Sequence, residues 1–128
     1  MAEFQRLPSR IRDTVTSQLG ANEQIELCLL GRSNFLSPDF VIITSHRLLV
    51  LEERSMGSLG ASYTNIRANL LFSEISAVKL SRDWKHRLLR QACVEIDKRN
   101  SDRYLINRVS LREAKLALEL ITTQIQPD

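Results

Sequence analysis

The stretch VIITSHRLLVLEER, residues 41–54, decides the fold of this chain. Two apolar runs, VII and LLVL, flank the polar foursome TSHR. Such runs are typical of strands that enter a core, and four residues are too few for the crossover that parallel strands need. We therefore predict two antiparallel strands joined by a tight turn. His46 and Arg47 are expected to point to solvent there, since this His-Arg pair has no third group nearby in sequence that would orient it as a site.

Working outward, the apolar runs and the alternation of apolar and polar residues predict further strands. Residues 98–102, KRNSD, supply the Asn, Ser and Asp of a hairpin turn, and residues 54–64 form the longest flexible connection. The absence of helical crossovers excludes a parallel α/β fold, so we expect a bent antiparallel barrel or sandwich in the α+β class. The predicted strands are residues 25–30, 39–43, 47–53, 65–72, 75–80, 92–96 and 103–109.

A helix is predicted near the N-terminus because apolar residues recur there at steps of three and four. Pro8 fits the first turn, and Gly20 is expected to end the helix in the left-handed conformation. Three positions stay open for this helix: on the barrel, on another subunit, or on a membrane with Arg6 and Arg10 flanking. Its apolar stripe consists of Phe4, Leu7, Ile11, Val15 and Leu19.

A second helix is predicted at the C-terminus. Ser110 and Glu113 form the capping box S-x-x-E, in which each side chain can satisfy a backbone N–H of the first turn. An amphipathic helix in this place is expected to cover a face or an opening of the sheet. Its stripe consists of Leu111, Ala114, Leu118, Ile121 and Ile125.

The length of 128 residues predicts a single core domain, residues 23–128, preceded by a helical extension, residues 1–22. No apolar run exceeds four residues, and the N-terminal MAEFQRLPSR lacks the pattern of a signal peptide. The sequence therefore predicts a cytoplasmic protein, with the cytoplasmic face of a membrane as a further location. Cys28 and Cys93 are expected to be free buried thiols.

No motif predicts catalysis, a cofactor or a metal. Cys28, His46, His86 and Cys93 are the only soft ligands, and no two of them have the spacing of a zinc site. There is no G-x-S-x-G motif and no glycine loop with a phosphate-binding lysine. The paired carboxylates Glu52 and Glu53 stand at a strand end, where solvation is expected.

The net charge of +3 is unevenly distributed. Between Lys79 and Arg112 the chain carries 10 basic and 4 acidic groups. This modest basic excess suits either an acidic partner or anionic lipid, or it protects a solvated sheet edge.

The segment SRDWKHRLLR, residues 81–90, places the only tryptophan among basic side chains. An exposed indole in a basic loop can bind a protein partner, insert at a lipid interface or stack on nucleic acid. Alternatively, the indole folds back over the sheet under an arginine stem. A low aromatic content of 5% does not favour nucleic acid. The candidate binding residues are Arg82, Trp84, Lys85, His86, Arg87 and Arg90.

The opening stretch resembles the strand-turn-strand signature of bacterial pleckstrin-homology-like (PH-like) domains of the YokE-like group, and of related GRAM-type domains. LLFSEISAVKL, residues 70–80, and LGANEQIELCLLG, residues 19–31, resemble two further features of that family. The resemblance implies a seven-stranded bent sheet capped by the C-terminal helix, a binding or scaffolding role that includes self-assembly in some members, and no catalytic residues. Phosphoinositide-binding members carry a lysine-rich cluster near the first hairpin, where this chain has only Arg32.

The expected function is therefore a non-catalytic module for protein binding or scaffolding, including self-association. The alternative is a peripheral membrane adaptor that recognises anionic lipid through the basic segment with its tryptophan.

Overall fold

A computed structural model describes residues 3–32, 38–55 and 62–125 of the chain. Residues 56–61 of the predicted long connection lie outside these ranges. The strands are β1 Ile25–Gly31, β2 Asp39–Thr44, β3 Arg47–Ser55, β4 Ser62–Leu71, β5 Ile75–Ser81, β6 Gln91–Lys98 and β7 Arg103–Ser110. The α-helices are α1 Ser9–Gln18, α2 Trp84–Leu89 and α3 Leu111–Gln124, with short 3-10 turns at Phe4–Arg6 and Phe72–Glu74.

The strands form two antiparallel sheets, one of four strands in the order β1-β2-β3-β4 and one of three in the order β5-β6-β7. The predicted α+β class with antiparallel strands is confirmed, but the sheets do not close into a barrel within the described residues. At one point β1 and β7 come close, where the Arg32 N–H donates to the Asn107 carbonyl at 2.7 Å. A Cβ on Gly31 would lie 2.9 Å from that carbonyl oxygen, so this crossing requires glycine.

The two apolar runs of the opening stretch, VII and LLVL, show no polar alternation because both faces of their strands are covered. All six residues of β2 are buried. Ile43 contributes to the core between the two sheets, whereas Ile42 contributes to a second cluster beneath α1. Burial on both faces removes the alternation that a half-exposed strand would show. The predicted turn is confirmed, since β2 ends at Thr44 and β3 begins at Arg47.

The main core lies between the two sheets and α3 covers it, as the capping-helix prediction requires. Ala114, Ala117 and Ile121 of α3 are at most 2% exposed and belong to this core. The predicted stripe is wrong at one position: Leu118 is only partly buried and is not part of the core cluster. The small Ala117 faces the sheets instead, which lets the helix approach closely.

Helix α1 packs on the outer face of the four-stranded sheet of its own chain. The predicted ending of this helix is wrong: Leu19 is extended, and the left-handed residue is Asn22, with a φ of 69°. The Gly20 N–H donates instead to the Glu23 carboxylate at 2.9 Å. The buried residues of this second cluster are Leu7, Ile11, Val15, Cys28, Phe40, Ile42, Leu49 and Leu51.

Candidate binding surface

The basic segment 81–90 contains a helix, where the sequence had predicted a loop. Helix α2 is six residues long and begins after Asp83. The Asp83 carboxylate accepts from the His86 backbone N–H at 2.8 Å, and the His86 ring accepts from the Asp83 N–H at 3.0 Å. The hydrogen bond from the His86 N–H lowers the pKa of Asp83. This reciprocal cap supports a helix too short to be stable alone.

Two of the predicted binding residues hold α2 onto the sheets and do not face outward. Arg82 Nε donates to the Gln91 carbonyl at 2.9 Å. His86 Nε2 lies 2.8 Å from Asn107 Oδ1, and the His86 side chain is only 12% exposed. Arg82 and His86 are half-buried and position the helix through these contacts, so we leave them out of the surface defined below.

Helix α2 also presents three large apolar side chains to solvent. Trp84 is 70% exposed, Leu88 74% and Leu89 63%. The interpretation that the indole folds back over the sheet is therefore wrong. Other exposed apolar side chains, such as Leu71 at 43%, are less exposed and are not sequence neighbours of one another. Scattered single exposures are normal, whereas a contiguous group marks an interaction site.

Sequence reasoning missed the two leucines. The signal was present in the spacing, because Trp84 and Leu88 are four residues apart and meet on one face once the segment is helical. We use the name α2 surface for Trp84, Lys85, Arg87, Leu88, Leu89 and Arg90, all of which are exposed.

Cations surround these apolar side chains. Lys85 Nζ lies 5.7 Å from the centre of the Trp84 ring, within the range of a cation–π contact. Arg90 closes α2 in the left-handed conformation, with a φ of 55°. Its carbonyl accepts from the Leu111 N–H at 2.9 Å, which ties the end of α2 to the start of α3.

This tie brings further basic groups beside the α2 surface. An open cavity of about 420 Å³ is lined by Arg90 together with Arg112 and Lys115 of α3. Arg112 and Lys115 are both exposed. Of the acidic residues nearest in sequence, Asp83 caps α2, and the Glu113 carboxylate accepts from the Ser110 hydroxyl at the start of α3. Two structural elements thus contribute five exposed cations: three lie on α2 or at its end, and two line the cavity beside Arg90.

Away from α2, the TSHR turn holds a buried ion pair. Arg47 donates from Nε and Nη2 to the two carboxylate oxygens of Glu23, at 2.9 and 3.1 Å. The Glu23 side chain is 1% exposed and that of Arg47 is 19% exposed, so the prediction that Arg47 points to solvent is wrong. Burial by itself would raise the pKa of Glu23, but hydrogen bonds from Gly20, Thr44 and Arg47 outweigh it and the pKa is lowered.

A second ionic cluster lies where β3 and β4 pair. Glu52 is buried, contrary to the expectation of a solvated strand end, because β3 continues beyond it to Ser55. Arg54 Nε donates to Glu52 at 2.5 Å, and Arg67 Nη1 donates to the buried Asp39 at 2.9 Å. Burial would raise the pKa of Glu52, but hydrogen bonds from Arg54 and Asn65 lower it. These charges are paired with one another and support the sheet.

The remaining reactive groups lie in the interior. Cys28 and Cys93 are both buried free thiols, and burial raises the pKa of Cys28 to about 11. A thiol with so high a pKa is a poor nucleophile at neutral pH. Within residues 3–32, 38–55 and 62–125, no group of three or more His, Cys, Asp or Glu side chains could hold a metal ion.

Comparisons with family models and with curated proteins find no match. Among solved structures, the chain is similar to the C-terminal domain of an unknown protein from Leishmania infantum, at 13% identity and a TM-score of 0.47. The similarity covers 89% of this chain and 91% of that one. None of the described helices is long and apolar enough to cross a membrane.

Proposed function

We propose that this chain is a PH-like domain that acts as a non-catalytic binding module and docks onto its partner through the α2 surface. The observation that carries this proposal is the exposure of Trp84, Leu88 and Leu89, at 63–74%, on one helix of six residues. Leaving three large apolar side chains in water is costly unless another surface covers them. Antiparallel strands followed by a covering C-terminal helix support the PH-like relationship.

The proposal that the module is non-catalytic rests on how its titratable groups are used. Glu23 is paired with Arg47, Asp39 with Arg67, and Glu52 with Arg54. Catalytic acids and bases typically have perturbed pKa values in a cleft open to substrate. Here burial would raise the pKa values of Glu23 and Glu52, but hydrogen bonds inside the protein lower them, led by the Gly20 N–H at Glu23 and by Arg54 at Glu52.

The partner follows from the charge around the apolar side chains. A protein with an acidic rim and an anionic membrane would each complement Lys85, Arg87 and Arg90. A second copy of the chain would not, if it docked through this same surface, because a two-fold contact brings the basic surface against an identical basic surface. Any scaffolding by self-association would therefore use another face of the protein.

A photo-crosslinker introduced at Leu88 tests this proposal in living cells. The matched control places the same group at Leu71, an exposed leucine of β4 in the other sheet. We expect crosslinks to protein or lipid from position 88 and few from position 71. Equal crosslinking from both positions, or none from position 88, would refute docking through the α2 surface.

A further inference from the structure

We infer that the partner of the α2 surface is a lipid bilayer with anionic headgroups, into which Trp84, Leu88 and Leu89 insert. This inference rests on the proposed function and names the partner of that same surface. The α2 surface lies between β5 and β6, away from the first hairpin, where Arg32 is the only basic residue.

The first argument is the shape and chemistry of the apolar group. The three side chains project from a helix of six residues, and each is more than 60% exposed. A fluid bilayer accepts projecting indole and leucine side chains at the level of its headgroups, with no preformed pocket. A protein partner would need a pocket shaped for all three.

The second argument is the composition of the surrounding charge. Lys85, Arg87 and Arg90 lie on α2 or at its end, and Arg112 and Lys115 adjoin them across the cavity. Clusters of four to eight basic residues on an amphipathic segment are typical of binding to anionic lipid. Five exposed cations on or beside one short helix therefore favour a diffuse anionic surface.

The third argument comes from the placement of Arg112. This cation lies in the first turn of α3, where the helix dipole favours negative charge. The acidic residue of that turn, Glu113, is engaged with Ser110 and leaves Arg112 exposed. Arg112 therefore does not stabilise its own helix, yet it lies beside the α2 surface. An anionic surface outside the protein explains this position.

The fourth argument is that the α2 surface is held in a fixed orientation. His86 bonds to Asn107, Arg82 bonds to Gln91, and the Arg90 carbonyl bonds to Leu111. These contacts occupy the inner side of α2 and leave its apolar side outward. A pre-oriented side loses little conformational freedom on binding, which favours association.

The only tryptophan of the chain lies at the centre of this surface, so its own fluorescence reports insertion. The pure full-length protein is titrated with vesicles of phosphatidylcholine alone and with vesicles that contain a quarter phosphatidylserine, in about 0.1 M salt. We expect a blue shift of Trp84 emission, and quenching by brominated acyl chains, with the anionic vesicles. Salt of about 0.5 M should weaken the binding.

Two variants retain Trp84 as the fluorescent probe. One removes apolar side chains of the α2 surface, and the other removes its cations. In Leu88→Gln/Leu89→Gln we expect the vesicle affinity to fall by about fivefold or more per leucine. In Lys85→Gln/Arg87→Gln/Arg90→Gln we expect a loss of about fivefold per charge at low salt. The matched controls are Leu71→Gln on β4, and Arg6→Gln/Arg10→Gln near α1, which should bind like the parent protein. All of these side chains are exposed, so thermal melting should show that every variant folds.

The outcomes separate the two proposals. If Trp84 emission shows no blue shift with either kind of vesicle, the lipid inference is wrong. Docking through the α2 surface would still stand if the crosslinker at Leu88 captures a protein in cells. An equal shift with neutral vesicles would overturn the role of anionic lipid. Vesicle binding that both α2 variants retain in full would show that another surface binds the lipid. If, in addition, Leu88 crosslinks no more than Leu71, the proposed function fails as well.

Discussion

The change Arg47→Leu is expected to destabilise the fold strongly, because it leaves the Glu23 carboxylate buried without its cation. Glu23 is 1% exposed at its side chain, and Arg47 supplies two of its hydrogen bonds. Two unit charges about 4 Å apart interact by about 4 kcal/mol at an effective dielectric constant of about 20. Removal of one partner of a buried pair costs about 3–5 kcal/mol, which is a large part of the 5–15 kcal/mol that stabilises a domain.

Urea denaturation followed by circular dichroism measures this loss, since the exposed Trp84 is a poor probe of unfolding. With a denaturant slope of about 2 kcal/mol per molar, a loss of about 4 kcal/mol lowers the midpoint by about 2 M. Adding Glu23→Gln to Arg47→Leu should restore part of the loss, because the neutral amide carries no buried charge. Its oxygen can still accept from the Gly20 N–H, and its NH2 group can donate to the Thr44 hydroxyl oxygen.

The pH dependence gives an independent check with a definite sign. The pKa of Glu23 is lowered from its usual 4.5, so the ionised carboxylate contributes stability above pH 4.5 that is lost as the pH falls through the folded-state pKa. Without Arg47, only uncharged donors oppose the effect of burial, which raises the pKa of Glu23. We therefore expect the Glu23 carboxylate to protonate at higher pH in Arg47→Leu than in the parent protein. The difference in the free energy of unfolding between the parent protein and Arg47→Leu should therefore become smaller below pH 4.5. A midpoint shift under about 0.5 M at pH 7, or a gap that widens in acid, would refute the reasoning.

Four further substitutions test the packing and the TSHR turn. Ile121→Asp should lower the free energy of unfolding by more than about 3 kcal/mol, because Ile121 is fully buried, whereas Leu118→Asp should cost less than about 1.5 kcal/mol. A larger loss at Leu118 in the urea titration would mean that another face of α3 covers the core. Gly31→Ala should cost about 1–3 kcal/mol, because its Cβ would meet the Asn107 carbonyl; an unchanged melting temperature would contradict this. His46→Ala should change the free energy of unfolding by less than about 0.5 kcal/mol and the vesicle affinity by less than about threefold, since the His46 ring is exposed. A hundredfold loss of vesicle affinity would show that the turn takes part in binding.

Local patterns were sufficient for most of the secondary structure. The strand pair around TSHR, the α3 cap at Ser110 and the N-terminal stripe at Ile11 and Val15 all appear where periodicity and capping rules placed them. Each of these signals lies within a few residues of the element that it predicts. The error at Leu118 has a geometric reason: a period of 3.6 leaves two neighbouring positions that can face the core, and the distance to the sheets selects the smaller residue, Ala117.

The candidate binding segment was chosen from its composition, but the sequence could not show which of its residues face outward. Trp84 and the nearby cations marked residues 81–90, whereas the helix that places Leu88 beside Trp84 depends on the cap between Asp83 and His86. A helix of six residues is too short to be stabilised by its own propensity, so neighbouring strands have to hold it. For that reason the two leucines became visible only with the tertiary contacts.

The sequence by itself determined where the chain turns, which runs are apolar and where positive charge accumulates. Only the tertiary structure decided which charges are engaged inside the protein and which face outward. Arg47 pairs with Glu23 across 24 residues, Arg67 with Asp39 across 28, and His86 bonds to Asn107 across 21. Residues this far apart are brought together by strand pairing and sheet packing. Long polar side chains form hydrogen bonds or ion pairs with the groups that this packing brings near them. Their exposure therefore cannot be deduced from the residues that neighbour them in sequence.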